Sequence, residues 1–126
     1  MTFIPENALV WCEIPVTDLK KAMAFYDSVF EYETKLDEMG PNAIAFLPMK
    51  DEASSTAGHL YEGKPATDGR GPTVHLAVPG TVEEAANRCQ SAGGSLVGPV
   101  IEIPPGRFQY ALDPDGNSIG IFERAA

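Results

Sequence analysis

The sequence predicts an α+β fold built from two βαβββ modules, and three observations carry that expectation. A strand runs straight into an amphipathic helix twice, once within residues 10–33 and again within 72–94. The halves keep step: Val16 and Val78 close the first strands at an offset of 62, and Glu62 and Glu123 close the last ones at an offset of 61. Between helix and terminal tetrad, His59-Leu60-Tyr61-Glu62 or Gly120-Ile121-Phe122-Glu123, each half has room for two further strands. An offset that changes by only one residue along the whole length is the mark of an internal duplication.

The first module opens with Val10, Cys12, Ile14 and Val16 alternating with Trp11, Glu13 and Pro15, the period of a strand with one apolar face. Thr17 or Asp18 offers a capping oxygen, and Leu19, Ala22, Phe25, Tyr26, Val29 and Phe30 recur at helical spacing as core positions. Strands are expected at 33–38 and 43–48. The polar, small-residue stretch 49–58 reads as a mobile loop, and the Gly- and Pro-rich stretch 62–72 as the linker between modules.

In the second module Val74, Leu76 and Val78 alternate with Thr73, His75 and Ala77. Thr81 caps a helix whose apolar stripe is Val82, Ala85, Ala86 and Cys89, and Gly93 and Gly94 end it. Strands follow at 95–103 and 107–112. Asp113-Pro114-Asp115-Gly116-Asn117 is a hairpin signal, with proline fixing one turn position and glycine taking positive φ. The chain is therefore one domain, 1–126, of repeats 8–62 and 73–124.

Composition narrows the function classes. Nine Lys and Arg against eighteen Asp and Glu leave a net charge of -9, which repels phosphate backbones and anionic lipid. Nucleic acid and membrane are excluded as expected partners, and no apolar run approaches the roughly 20 residues of a membrane span. The opening MTFIPENALVW has neither the basic start nor the apolar stretch of a secretory signal, so a cytoplasmic location is expected. Cys12 and Cys89 read as reduced, buried thiols.

The paired βαβββ pattern, the opening EIPVTDLKKAMAFYDSVF, the central AGGSLVGP and the DPDGN turn resemble the vicinal oxygen chelate superfamily over nearly the whole chain. That superfamily includes lactoylglutathione lyase, bleomycin-resistance proteins and extradiol dioxygenases. The resemblance implies sheets that curve around one cavity, built or completed in a homodimer. It also implies four metal-ligand positions, on the first and last strands of each module. A divalent ion needs imidazole nitrogen or carboxylate oxygen at about 2.0–2.2 Å. The first-strand positions, five residues before the closing valine, hold Trp11 and Thr73. The last-strand positions hold His59 and Gly120. One imidazole cannot replace about three protein ligands, so no metal is expected at the inherited positions.

Glu13 and His75 lie two residues beyond Trp11 and Thr73, on the same strand faces and at equivalent places in the repeat. The functional expectation is a carboxylate and imidazole lining a pocket, able to orient a ligand or move a proton. The plainer alternative is a hydrogen-bonded pair joining the halves. A displaced divalent-metal site from Glu13, His59 and His75 is the one other route to a metal. Trp11 suits the floor of an apolar pocket, and Gly120, a weak residue within a strand, would leave space for a ligand. The sequence thus points to a glyoxalase-related, lactoylglutathione-lyase-like protein that binds a small organic molecule, with lyase or isomerase chemistry at Glu13 and His75 if it is an enzyme. The alternative is a non-catalytic, drug-sequestering protein of bleomycin-resistance type, its acidic charge favouring a cationic ligand. An extradiol-dioxygenase site is not provided, because its two-histidine, one-carboxylate set is missing.

Overall fold

A computed structural model describes residues 2–51, 53 and 55–126. The first module runs β1 (Trp11–Val16), α1 (Leu19–Phe30), β2 (Lys35–Asp37), β3 (Ile44–Phe46) and β4 (Ala57–Glu62). The second runs β5 (Val74–Ala77), α2 (Val82–Ser91), β6 (Ser95–Ile103), β7 (Gly106–Leu112) and β8 (Ser118–Arg124). Each forms a four-stranded mixed sheet, β1-β4-β3-β2 and β5-β8-β7-β6. In both, the first and last strands pair in parallel and the other neighbours antiparallel. The duplication read from the offsets is therefore a duplication of topology.

Element boundaries shift for local reasons. The strands expected at 33–38 and 43–48 shorten to three residues each. Gly40-Pro41 interrupts the connection, and Pro48 has no N–H with which to extend the ladder. The loop expected at 49–58 gives up Ala57 and Gly58 to β4, while its residues 52 and 54 lie outside those described. Thr73 falls just before β5, and Gly106 rather than Arg107 begins β7.

Asp18 caps α1 by accepting from the Lys21 N–H at 3.1 Å. Thr17 is drawn away instead: its N–H and hydroxyl both donate to Asp115. Thr81 and Glu84 form a reciprocal capping box at α2. The paired glutamates at the strand ends serve the same purpose in each repeat. Glu62 Oε2 accepts from Leu19 N–H at 3.2 Å, and Glu123 Oε1 accepts from Val82 N–H at 2.9 Å. The last strand of each module thus satisfies an otherwise orphaned donor of its own helix.

One core lies between the helices and one face of each sheet. Ile14, Val16, Ala45 and Leu60 from the first sheet and Ala111, Ile119 and Ile121 from the second pack with Tyr26, Val29, Phe30, Val82 and Cys89. The DPDGN turn fastens the modules together. Asp113 Oδ2 accepts from the buried Tyr26 hydroxyl at 2.8 Å, and Asn117 Nδ2 donates both to Asp113 and to the Pro15 carbonyl, each at 2.8 Å. Cys89 is buried and its thiol is pushed up to about 11 by burial; Cys12 is only half-buried, a correction to the expectation of two buried thiols. Among the described residues, no helix is long and apolar enough to cross a membrane.

Candidate functional site

The parallel registers place Glu13 beside His59 and His75 beside Gly120. Because side chains alternate along a strand, Trp11, Glu13, Phe46, His59 and Tyr61 share the face of the first sheet that points away from the core. His75, Phe108, Tyr110, Gly120 and Phe122 share the corresponding face of the second. Each face carries one imidazole at the same pair of register positions. In the first sheet it comes from the last strand, in the second from the first strand.

On the first sheet Trp11 Nε1–H donates to His59 Nδ1 at 2.9 Å. A neutral imidazole that accepts at Nδ1 carries its proton on Nε2, and this Nε2 lies 3.6 Å from Glu13 Oε1. The His59 side chain is 15% exposed and that of Glu13 64%, so the carboxylate opens to solvent while the imidazole is held beneath it. Trp11, Phe46 and Tyr61 surround the His59 ring with centroids 6.0–6.3 Å away.

On the second sheet the His75 ring covers Gly120. A Cβ on that glycine would collide with His75 Nδ1, so the glycine is needed for the imidazole to lie where it does. Phe108, Tyr110 and Phe122 enclose the ring at 4.9, 5.8 and 5.9 Å, the first and last meeting it nearly edge-on. Burial holds the His75 imidazole below its ordinary value. His75 also lines a cavity of about 230 Å³ beside the β1 and β5 edges, together with Cys12, Ala57, Tyr32 and Arg124. Tyr32 donates its hydroxyl to the Ala77 carbonyl and is pushed up to about 12 by burial.

The structure brings Trp11, Glu13 and His59 together, and His75 with Gly120. Thr73 instead shares a hydroxyl hydrogen bond with Ser118. The ring contacts of His75 all lie within the second sheet, and among the described residues no group of three or more His, Cys, Asp or Glu is arranged to hold a metal ion. The space over Gly120, expected to be open to a ligand, is filled by His75. Apart from Trp11, sequence reasoning missed the aromatic rings around the two imidazoles. Strict alternation from His59 and Gly120 would have placed Tyr61 and Phe122 on those faces.

The geometry and topology agree with a known family: residues 8–121 match the Glyoxalase/Bleomycin resistance protein/Dioxygenase superfamily. The chain belongs to this superfamily. Among solved structures it is similar to a glyoxalase/bleomycin resistance protein from Albidiferax ferrireducens T118, with a TM-score of 0.67, 21% identity, and 94% of this chain and 100% of that one covered. It is similar to TnmS3, an antibiotic binding protein from Streptomyces sp. CB03234, at a TM-score of 0.63 and 25% identity over 98% of this chain and 100% of that one. A genomically encoded fosfomycin resistance protein, FosX, from Listeria monocytogenes aligns at a TM-score of 0.64 and 17% identity, covering 98% and 96%. No curated protein matches the chain. Within the superfamily the fold is shared by binding proteins and enzymes, so function has to be argued from the site.

Proposed function

We propose that this protein binds a small aromatic organic molecule against the outer sheet faces, without a divalent metal, and that a homodimer closes the cavity. One observation carries the reading: all four positions corresponding to the family's metal ligands are committed to contacts within the chain or lack a donor. His59 accepts at Nδ1 and carries its proton on Nε2, so neither nitrogen has a free lone pair. Trp11 offers only an N–H, Thr73 is bonded to Ser118, and Gly120 lies under His75. The residues present do not fit a divalent ion there. What the faces do offer is aromatic surface, which suits a planar ligand, and the similarity to an antibiotic binding protein supports the same reading.

The homodimer rests on exposed apolar surface. Val97, Ile103 and Tyr110 stand open on the outer face of the second sheet, and Phe3, Ile4, Leu9 and Val10 stand open along the N-terminal arm. Surface of this kind marks a place where something docks.

Trp11 is the only tryptophan, so its emission reports directly on the site. Titration with planar aromatics such as 2-naphthol is expected to quench it saturably, and an unchanged spectrum across such a panel would overturn the reading. Protein purified without chelator is expected to hold no stoichiometric metal. Zinc, nickel or iron at one per chain, lost in His59→Ala, would refute the metal-free site.

A second reading is favoured by the Glu13–His59 contact. A carboxylate with an imidazole Nε2 3.6 Å away and otherwise open to solvent has the form of a proton-abstracting base, which fits a lyase or isomerase related to lactoylglutathione lyase. Solvent deuterium exchange into a carbon-acid substrate tests it, and a Glu13→Gln protein with full turnover would sink it.

A further inference from the structure

We propose that the pocket beside the inter-module linker is a subsite for the carboxylate of a small organic acid. This deepens the aromatic-ligand reading and rests on it only in taking the pocket as part of the same binding surface. The pocket has a volume of about 240 Å³. Its walls are apolar at Ile14, Val74 and Ile119 and polar at Ser118, and the linker contributes Lys64 and Arg70.

These two cations border one pocket in a chain of net charge -9. Lys35, Arg88 and Arg107 each pair with a glutamate. The side chains of Lys64 and Arg70 have no carboxylate or hydrogen-bond partner among the described residues, as is true also of Lys20, Lys21, Lys50 and Arg124; what sets Lys64 and Arg70 apart is that both line this pocket. Two unpaired cations bordering one apolar pocket create a local positive field that the overall charge conceals.

The linker holds them on a fixed support. Gly63 N–H donates to the Val16 carbonyl at 3.0 Å and Gly69 N–H to the Gly116 carbonyl at 2.9 Å. Thr67, Asp68, Gly69 and Gly71 all take positive φ, between 54° and 83°. Gly116 also takes positive φ, and a Cβ there would crowd the Asp68 N–H at 2.8 Å, so the linker lies directly against the DPDGN turn. Cations carried on a pinned segment lose less freedom on binding than cations on a free chain.

Glu13 is the one acid in the pocket wall, and it sets the ligand's charge. Its carboxylate offsets one of the two cations, so the wall carries a net charge of +1, which a single negative charge on the ligand matches. The chemistry selected is a monocarboxylate on an apolar body.

Benzoate and benzamidinium, matched in shape and opposite in charge, test this on the full chain by amide NMR. Benzoate is expected to shift the Val74, Ser118 and Arg70 amides saturably, and benzamidinium to leave them in place. A Lys64→Gln/Arg70→Gln protein is expected to bind benzoate about tenfold more weakly at an unchanged Tm, because both side chains are exposed. Equal benzoate affinity in the double variant, or equal shifts with benzamidinium, would overturn the subsite. Quenching of Trp11 by uncharged 2-naphthol reads the aromatic face separately. Naphthol quenching without a benzoate response sinks the subsite alone; a benzoate response without quenching sinks the aromatic-face reading and leaves the subsite standing.

Discussion

The imidazole of His75 occupies the volume that a side chain on Gly120 would claim, and the two residues sit side by side in the parallel register of β5 and β8. In the first sheet the equivalent pair is Glu13 and His59, with the imidazole on the other strand. The two modules have thus traded the strand that supplies the ring. The glycine in the last strand is the condition for the histidine in the first.

Gly120→Ala is expected to destabilise the protein by about 1–3 kcal/mol, the usual effect of forcing atoms into a filled site. Adding His75→Ala to the same chain should recover much of the loss, because the colliding ring is then gone. Urea denaturation of the four proteins in a double-mutant cycle measures the coupling. A Gly120→Ala protein as stable as the parent would mean that the ring is free to move away.

Trp11→Phe keeps an aromatic ring beside His59 and removes only the N–H. The expected loss of stability is about 1 kcal/mol, that of one ordinary hydrogen bond. The sharper readout is the tautomer: ¹⁵N resonances should show His59 protonated at Nε2 in the parent and a mixture in the variant. Identical spectra in the two proteins would remove the Trp11 bond from the account of the site.

His75 gives stability a pH dependence whose sign follows from burial. Its imidazole is held below the ordinary value of 6.5, so the folded protein binds fewer protons than the unfolded chain just below that pH. The contribution is fully present above about 6.5 and is lost as pH falls toward the lowered folded value. Among the described residues, Tyr110, which touches the ring, and Cys12, Tyr32 and Arg124, which share its cavity, are the titratable or charged groups facing it, and none is a carboxylate that would favour the protonated ring. Thermal melts between pH 7.5 and 5 should fall more steeply for the parent than for His75→Phe, and parallel curves would contradict this.

Tyr26→Phe should cost about 1–3 kcal/mol, because it leaves the buried Asp113 carboxylate without one of its donors. Tyr32→Phe removes an exposed hydroxyl bond to the Ala77 carbonyl and should cost less. Both bonds join one module to the other, so comparing their urea midpoints shows which contributes more to the joint. Equal losses would mean that the Tyr26–Asp113 bond secures it no more than the Tyr32 bond does.

Much of this architecture could be read directly from the residues. The offset of 61–62, the capping oxygens at Thr17 or Asp18 and at Thr81, and the DPDGN turn are local patterns, and local patterns follow from backbone geometry and short-range hydrogen bonds. Alternation likewise put Trp11 and Glu13 on one face, since two neighbours in a strand cannot share a side. The roles of Asp113 and Asn117 were less legible. Their partners, Tyr26 and Pro15, lie 87 and 102 residues away.

The site divides in the same way. By itself the sequence determined the two-module fold and the residue types available: a tryptophan, a carboxylate and two imidazoles, with a glycine where a ligand is often found. Only the tertiary structure decided which of them meet. The parallel register of β4 on β1 brings His59 against Trp11 and Glu13, and that of β8 on β5 slides Gly120 beneath His75. Strand register is fixed by packing across the whole sheet, so it cannot be read from any one strand.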